Sequence, residues 1–502
     1  MTIGRRGGRA STSFEVMASM SQMVISPPAA PVPVVSALPA RTRLLLEAPI
    51  LPTLLRLAAP NVVVVTVQAA SSTVDAFFVG RLGAEVLAGV SLVFPAWMLM
   101  VTMSAGGIGG GIASAVARAL GGGRRAEADA LVAHALAIGL ALSAIFTAGL
   151  LWGGPALYAA MGGSGPTLDA ALAYSGVIFA GALAVWLVNT LASVLRGSGE
   201  MLFPAAVVVA GELLHCALAP LLIFGPGPFP ALGVSGAAVS LVTSYGLRAA
   251  ALAGYVLTRR SVVTLSLVPL RLRRALFFEI LRVGLPGSIN TVLTNANVMV
   301  VTGLVGSFGT FALAGYGVGA RLEYLQIPLV FGFGTALVTM VGTNVGAGEL
   351  ARARRVAWVG AGLAAAVTGS VGVLAAFLPR AWIGTFSSQP EVLAAGESYL
   401  RIVGPSYGFF GLGLALYFAS QGAGRLLWPL AAGFARLLVT VGGGWLAVTW
   451  LGELPALFAA ITLGFLVFGG AQAAAINATL RQATGAAGLR LPVLCSHPRP
   501  RR

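Results

Sequence analysis

Long apolar stretches follow one another along almost the whole chain, separated by short segments rich in Gly, Pro and Arg. Each stretch has roughly 20 or more residues, so that as a helix it is long enough to cross a hydrocarbon core of ~30 Å. The pattern predicts an all-α polytopic membrane protein with twelve transmembrane helices. The predicted spans lie near residues 52–80, 86–118, 129–153, 168–195, 202–225, 233–258, 279–304, 311–339, 356–378, 393–419, 427–450 and 455–480.

The composition agrees with this pattern and excludes a soluble globular protein. Hydrophobic residues make up 57% of the 502 residues and charged residues only 9%, whereas a soluble domain carries about 25% charge. The sequence has three histidines, no His-Glu-x-x-His zinc motif and no phosphate loop of the Walker type. We therefore expect no enzyme, no metal site, no cofactor and no ATP-driven pump.

Arginine supplies all 31 basic residues and is unevenly distributed among the loops. The positive-inside rule places the Arg-rich loops and both termini in the cytoplasm. No basic face alternates with aromatic residues on which bases could stack, so nucleic acid is not an expected partner. Of the loop arginines, Arg81 and Arg380 alone lie on one side; the other side has Arg118, Arg124, Arg125, Arg196, those within 259–274, Arg352, Arg354, Arg355 and Arg425.

The chain divides into two apolar halves with polar segments before, between and after them. Residues 49–258 and 279–481 each contain six predicted spans. Residues 1–48 form a Pro/Ala-rich basic segment, predicted to be a disordered cytoplasmic tail. Residues 259–278 mix arginines with apolar residues, which is typical of an amphipathic linker at the membrane interface. Residues 482–502 are predicted to be a second cytoplasmic tail.

The two halves repeat one another in sequence. "RLAAP" at 56–60 matches "RVGLP" at 282–286 with an offset of 226, and "LGGGRRAEA" at 120–128 matches "VGAGELARA" at 345–353 with an offset of 225. Two further blocks match at the same offsets. Because six spans is an even number, both halves cross the membrane in the same direction. The repeats are therefore parallel, and we expect two six-helix bundles around a central cleft.

Several motifs in this order resemble the multidrug and toxic compound extrusion (MATE) family of secondary transporters. They are "VDAFFVGRLGAEVLAG" at 74–89, "LRGSGEMLFP" at 195–204, "LGVSGAAVS" at 232–240 and "VGTNVGAGELARAR" at 341–354. The resemblance extends from about residue 50 to 482. It implies alternating access between two six-helix bundles and export of cationic, amphipathic compounds in exchange for protons or sodium ions.

Asp75 is the leading candidate for ion coupling. A carboxylate inside a span costs about 2.5–3.5 kcal/mol on insertion scales, so it should face a cavity or a partner. The equivalent position in the second half is Val301, which means that the fold itself does not require an acid there. The resemblance implies that an Asp at this motif position is the main coupling acid. The alternative is a structural hydrogen bond between helices.

The fifth span departs from the family pattern. Many members have Asn-x-x-Leu-Asp before "PLLIFG", but here His215 stands at the Asn position and Ala219 at the Asp position. Glu212 lies three residues before His215 and therefore on the same helical face. We infer that Glu212 and His215 either bind protons beside Asp75 or serve a structural role. Imidazole titrates near pH 6.5 and two oxygen ligands are missing, so the sequence favours protons over sodium ions.

Other polar residues inside the spans are candidates for the cleft and for substrate contacts. By resemblance, Gln68 and Asn189 match polar positions of the first bundle. Glu323 either attracts a cationic substrate or pairs with another helix. Arg248 is expected either to neutralise an acid or to extend to the membrane interface. The full set of cleft candidates is Gln68, Asn189, Asn290, Asn295, Glu323, Tyr407 and Tyr417.

The sequence therefore predicts a cation-coupled antiporter that exports cationic amphipathic drugs or toxic metabolites, and it favours the proton-coupled form of such a transporter. The alternatives are a sodium-coupled version and a lipid-linked oligosaccharide flippase of the same superfamily. The expected partners are a small cationic substrate and the lipid bilayer. We expect a monomer in the bacterial inner membrane.

Overall fold

The computed structural model describes residues 38–226, 230–258, 260–265 and 272–488, with the backbone alone from residue 479 onward. We label its helices α1 to α15 in chain order. They are Ala40–Glu47, Ile50–Gly80, Ala84–Gly121, Arg125–Ala160, Gly165–Ala180, Ala182–Gly197, Leu202–Phe224, Val234–Leu257, Arg274–Gly306, Thr310–Gly346, Leu350–Phe377, Pro379–Ile383, Pro390–Gly422, Leu427–Leu451 and Leu454–Gly488.

The predicted twelve transmembrane helices are confirmed. Eleven helices within the described ranges are long and apolar enough to cross a membrane, and α5 and α6, bent by 47° at Gly181, together form a twelfth. Several helices extend beyond the predicted spans. α9, for example, begins at Arg274, because a helix continues through polar turns outside the bilayer that an apolar pattern does not mark.

Helices extend into residues assigned to the two tails. Residues 40–47, assigned to the first tail, form α1, whose Thr42, Leu45 and Leu46 are buried. α15 extends to Gly488, into residues assigned to the second tail. Residues 1–37 and 489–502 lie outside the described residues, as do 259 and 266–271 of the linker.

The described parts of the linker are attached to α4. The Asp129 carboxylate accepts a hydrogen bond of 2.7 Å from the Thr264 amide, and His134 Nε2 accepts one of 2.8 Å from the Arg273 amide. Both acceptors belong to the first half of the chain. The linker therefore returns along the first bundle before α9 begins the second.

The sequence repeat is reproduced in matching contacts between the halves. A methyl group at Gly121 of α3 would collide with the carbonyl oxygen of Thr343, and one at Gly346 of α10 would collide with that of Arg118. The two glycines are 225 residues apart in the sequence, and so are the two residues whose carbonyl oxygens they meet. Close approach of this kind requires glycine, since any Cβ would hold the helices apart.

Hydrogen bonds between the halves repeat in the same way. Ser114 Oγ donates to the Gln421 carbonyl at 2.5 Å, and Thr339 Oγ1 donates to the Arg196 carbonyl at 2.8 Å. The donors are equivalent positions and so are the acceptors, again 225 residues apart. Two parallel bundles related by a pseudo-twofold axis account for this pairing.

These contacts seal one end of the molecule, which we call the Arg-rich end, defined by the turns at 122–124, 198–201, 347–349 and 423–426. Arg118 Nη2 there lies 3.1 Å from Glu279 Oε2 of α9, across the boundary between the halves. Towards the opposite end, α2 and α9 expose side chains around a broad arc, including Phe77 at 60% and Met299 at 77%. The halves are thus packed together at the Arg-rich end, whereas α2 and α9 have many exposed side chains towards the other end.

Replacing Gly346 by Ala should destabilise the sealed conformation by about 1–3 kcal/mol, because the added methyl group overpacks a contact with a backbone oxygen. Gly317→Ala in the same helix α10 is the matched control, since a Cβ at Gly317 meets no atom within 4 Å. Thermal unfolding of both variants in detergent measures the difference. Equal midpoints for the two variants would contradict close packing at Gly346.

Candidate functional site

A carboxylate and an imidazole from different helices meet towards the end opposite the Arg-rich end. His215 Nε2 of α7 lies 2.8 Å from Asp75 Oδ2 of α2. The histidine side chain is 1% exposed and the aspartate side chain 24% exposed. Helices therefore enclose the imidazole, whereas the carboxylate keeps access to solvent. The pairing gives Asp75 the partner that a carboxylate inside a span needs.

The other side of the imidazole is held by α8. His215 Nδ1 lies 3.0 Å from Ser240 Oγ, and the Ser240 hydroxyl donates to the Ala237 carbonyl of its own helix at 2.7 Å. Ser240 is fully buried. The site is thus a chain of three side chains from three helices, with a backbone carbonyl at its inner end.

This arrangement can hold and release a proton. At 2.8 Å a proton must lie between Asp75 Oδ2 and His215 Nε2, because two lone pairs would repel each other at that distance. The charge of the carboxylate and imidazole together therefore depends on how many protons the pair holds. Solvent reaches the pair through Asp75.

Glu212, predicted to assist Asp75, has a different partner. Its Oε1 lies 2.9 Å from Arg248 Nη1 of α8, and both side chains are buried. Arg248 also donates two hydrogen bonds to Ser244 Oγ, at 2.8 and 3.1 Å, and stacks 4.4 Å from the ring centroid of Tyr245. Arg248 thus neutralises an acid, which is one of its two predicted roles. Glu212 belongs to a separate ion pair one turn from His215.

The predicted polar residues of the cleft are dispersed along several helices. Gln68 and Asn290 are half-buried, in α2 and α9, whereas Asn295 is exposed and donates to a carbonyl of its own helix at 2.8 Å. Asn189 Nδ2 donates to Ser104 Oγ at 2.8 Å, where α3 has a π-helical turn at Met103–Ile108. Their roles at a cleft stay predictions.

The second half contains its own polar cluster. Tyr399 donates to Glu323 Oε2 at 3.2 Å, so Glu323 pairs with another helix, one of its two predicted alternatives. The guanidinium of Arg436 is buried among three phenylalanine rings, 4.8 to 5.5 Å from their centroids. Tyr407 and Tyr417 are buried in packed cores, at 0% and 5% exposure, and their predicted cleft role is not tested by this packing.

Sequence reasoning missed Ser240, although a signal for it exists. Ser240, Ser244 and Arg248 are spaced i, i+4 and i+8, which makes a polar stripe along one face of α8. Glu212 and His215 make a similar short stripe on α7. Two polar stripes on consecutive membrane helices are expected to face each other, since neither can face lipid without a large cost.

Comparison with known proteins agrees with the sequence repeat. The MatE family model matches residues 60–221 and 286–446, well over half of the chain. The two matched segments begin 226 residues apart and end 225 residues apart, which are the offsets of the internal repeat. The family model thus matches each half of the molecule once.

Individual relatives cover most of the chain. The FAD transporter of Shewanella oneidensis is 27% identical over 397 residues, 79% of this chain and 87% of its own length. The probable multidrug resistance protein NorM of Deinococcus radiodurans is 31% identical over 369 residues, 70% and 77% of the two chains. A solved MOP superfamily transporter from Pyrococcus furiosus superimposes with a TM-score of 0.81 at 25% identity, covering 89% of this chain and 99% of its own.

Replacing Arg248 by Met should destabilise the protein by about 3–5 kcal/mol, because it leaves Glu212 as an unpaired buried charge. The double variant Arg248→Met/Glu212→Gln should recover most of this loss. Denaturant unfolding of wild type, both single variants and the double variant gives the coupling energy. The exposed Arg321→Met serves as the control for loss of an arginine. A double variant as unstable as the sum of the single variants would contradict the pairing.

Proposed function

Because the chain belongs to the MatE family of transporters, as its motifs predicted, we propose that it is an antiporter that exports cationic amphipathic compounds in exchange for protons. Its relatives are transporters and not enzymes, and several are named as multidrug resistance proteins. The observation that carries the proposal is the hydrogen-bonded pair of Asp75 and His215.

The chemistry of the pair favours a proton over a sodium ion. Sodium prefers several oxygen ligands, and here the carboxylate oxygen of Asp75 is engaged by an imidazole nitrogen at 2.8 Å. Ala219, which replaces an expected acid, is fully buried and supplies no ligand. A carboxylate and an imidazole that share a hydrogen bond instead offer a site that gains or loses one proton without any other ligand.

The cycle follows from competition at Asp75. With the proton bound, the pair is neutral overall, since a carboxylate faces an imidazolium or a carboxylic acid faces a neutral imidazole. Loss of the proton leaves one net negative charge, which attracts a cationic substrate. Proton and substrate therefore exclude each other electrostatically. This exclusion is the requirement for exchange transport, in which each binds after the other has left.

The packing of the halves supports alternating access. The closely packed glycines and the hydrogen bonds of Ser114 and Thr339 lie at the Arg-rich end, whereas Asp75 keeps 24% exposure near the other end. A rocking motion about the pseudo-twofold axis would break the first set of contacts and enclose the second region. In this conformation the proton site faces outward if the Arg-rich end is cytoplasmic.

Glu212 has a supporting part in this proposal. Its ion pair with Arg248 carries no net charge and is enclosed on all sides. A pair of this kind fixes α7 against α8 and so fixes the direction in which His215 points. The predicted proton exchange is thereby assigned to Asp75 and His215, and Glu212 serves as their structural neighbour.

A second candidate substrate is an anionic flavin dinucleotide. The relative whose alignment covers 79% of this chain is named as an FAD transporter. An arginine also lies in the part of α10 away from the Arg-rich end. Arg321 is exposed, with its guanidinium 5.5 Å from the ring centroid of Phe386, and could contact phosphate. The acid at the leading candidate site favours the cationic substrate, and a transport assay separates the two.

We further propose that the protein acts in the bacterial inner membrane as a monomer, with both termini in the cytoplasm. The Arg-rich turns support this orientation through the positive-inside rule. Each half is covered by its own six spans, and the pseudo-twofold axis lies within one chain. A single copy therefore supplies both bundles of the transport unit.

Asp75→Asn should abolish proton-driven export, because asparagine cannot exchange a proton. The assay follows efflux of ethidium from proteoliposomes under an imposed pH gradient or sodium gradient. Asp169→Asn, at an acid of α5 outside the proposed site, is the matched control and should transport normally. Arg248→Met/Glu212→Gln, corrected for the amount of folded protein, should keep its dependence on the pH gradient.

The outcomes separate the alternatives. Transport driven by a sodium gradient alone would show that sodium, not the proton, is the coupling ion, and would leave the family assignment unchanged. Transport of FAD but not of ethidium would show that the substrate is an anionic dinucleotide and not an amphipathic cation. An absence of both would favour the lipid-linked oligosaccharide flippase. Loss of proton coupling in the double variant would return Glu212 to the coupling site.

Single cysteines should report the orientation. In a background without Cys216 and Cys495, a cysteine replacing Ser307 should react with a membrane-impermeant maleimide in intact cells. A cysteine replacing Glu349, at the Arg-rich end, should react only after permeabilisation. Both native residues are exposed, so each position is open to the reagent. The reverse labelling pattern would overturn the proposed orientation.

A further inference from the structure

Ser240 stands between two hydrogen-bond acceptors at the inner end of the proposed proton site. Its Oγ lies 2.7 Å from the Ala237 carbonyl oxygen and 3.0 Å from His215 Nδ1. The side chain is fully buried, so no solvent molecule competes for either contact. A serine hydroxyl has one proton to donate and lone pairs that accept.

This geometry permits two complete hydrogen-bond arrangements with the same heavy-atom positions. In the first, Ser240 donates to the Ala237 carbonyl, and His215 donates from Nδ1 to Ser240 Oγ. The proton between His215 and Asp75 is then an additional one, and the site is loaded. In the second, the Ser240 hydroxyl rotates to donate to Nδ1, and Nε2–H donates to an ionised Asp75. The site then contains one proton fewer.

We propose that Ser240 is a positioning residue that selects the tautomer of His215, so that the imidazole keeps both hydrogen bonds whether the site is loaded or empty. The inference rests on the proposed proton exchange at Asp75 and His215. When the proton leaves, the Ser240 hydroxyl rotates, and no helix has to move to restore the hydrogen bonds of the imidazole. Release of the proton therefore leaves α2, α7 and α8 in register.

The surrounding groups do not duplicate this role. From α5, Tyr174 lies close enough to Asp75 to interact electrostatically. Cys216 Sγ of α7 donates to Ser71 Oγ of α2 at 3.4 Å.

The other charged groups nearby already have partners or are exposed. Glu212 and Arg248 pair with each other between α7 and α8, with Tyr245 stacked on the arginine. Glu323 of α10, the next helix packed on α2, accepts from Tyr399. Glu85 at the start of α3 is exposed. Ser240 is the described contact of His215 Nδ1.

Loss of the hydroxyl should weaken the loaded state more than the empty state. In the loaded state Nδ1–H belongs to a charged or proton-sharing ring and would be left as a buried donor without an acceptor. In the empty state the loss is a neutral hydrogen bond, which is worth roughly half as much. The site should then release its proton at lower pH.

The test compares Ser240→Ala, Ser240→Thr and Ser143→Ala. Ser143 is a buried serine of α4 whose hydroxyl bonds to a carbonyl three residues earlier, as Ser240 does, but it has no contact with His215 in the described structure. The pH midpoint of ethidium export in Ser240→Ala should shift down by about half a unit to one unit. Ser240→Thr and Ser143→Ala should keep the wild-type midpoint.

A second measurement uses the wild-type protein and does not depend on the folding of a variant. Selective ¹⁵N labelling of histidine gives signals from only three residues, and His215→Gln identifies the signal of His215. Solid-state NMR in liposomes should show both ring nitrogens protonated below the midpoint, or sharing the proton with Asp75. Above it, Nε2 should carry the proton and Nδ1 should be bare.

Each result decides between specific claims. A wild-type midpoint in Ser240→Ala, or a ring protonated at Nδ1 above the midpoint, would overturn the role of Ser240 while leaving proton exchange intact. A His215 ring that does not titrate between about pH 5 and 9, together with sodium-driven transport, would overturn the proposed function and this inference together. A lower midpoint in Ser240→Ala, together with a His215 ring protonated only at Nε2 above the midpoint, supports both the proton exchange and the role of Ser240.

Discussion

A carboxylate in a membrane-spanning helix needs a partner or a water-filled cavity, and the hydrogen bond between Asp75 and His215 supplies a partner. The bond joins α2 to α7, and Ser240 extends it to α8. The two hydrogen bonds of the imidazole thus link three helices of the first bundle. The contacts that partner the buried acid are therefore the same ones that the proposed proton chemistry uses.

The close packing of glycines at the other end of the molecule has a complementary effect. Gly121 and Gly346 allow backbones from the two halves to touch, and Arg118 and Glu279 join the halves electrostatically. The glycine contacts are repeated between the two halves, and each contact by itself contributes only modestly to the free energy of the closed boundary. A surface of this kind separates as a unit, which suits a transporter that must open and close the same boundary in every cycle.

The extent to which the site follows from sequence differs from residue to residue. The spans and the repeat follow from hydropathy and spacing, because hydrocarbon imposes strong constraints on both. Asp75 is visible as an acid among apolar residues. The partner of Glu212 is not, because residues three apart on α7 differ by about 60° in direction, enough for one to meet α2 and the other α8. Helix α1 was missed because its apolar run is too short to stand out.

The central claim is that Asp75 and His215 carry the proton that the substrate displaces. The most direct test is to add a cationic substrate to the purified protein in weakly buffered detergent solution and to measure the protons released. The account predicts release close to one proton per bound substrate in wild type, and none in Asp75→Asn at matched occupancy. Undiminished proton release from Asp75→Asn would contradict the account.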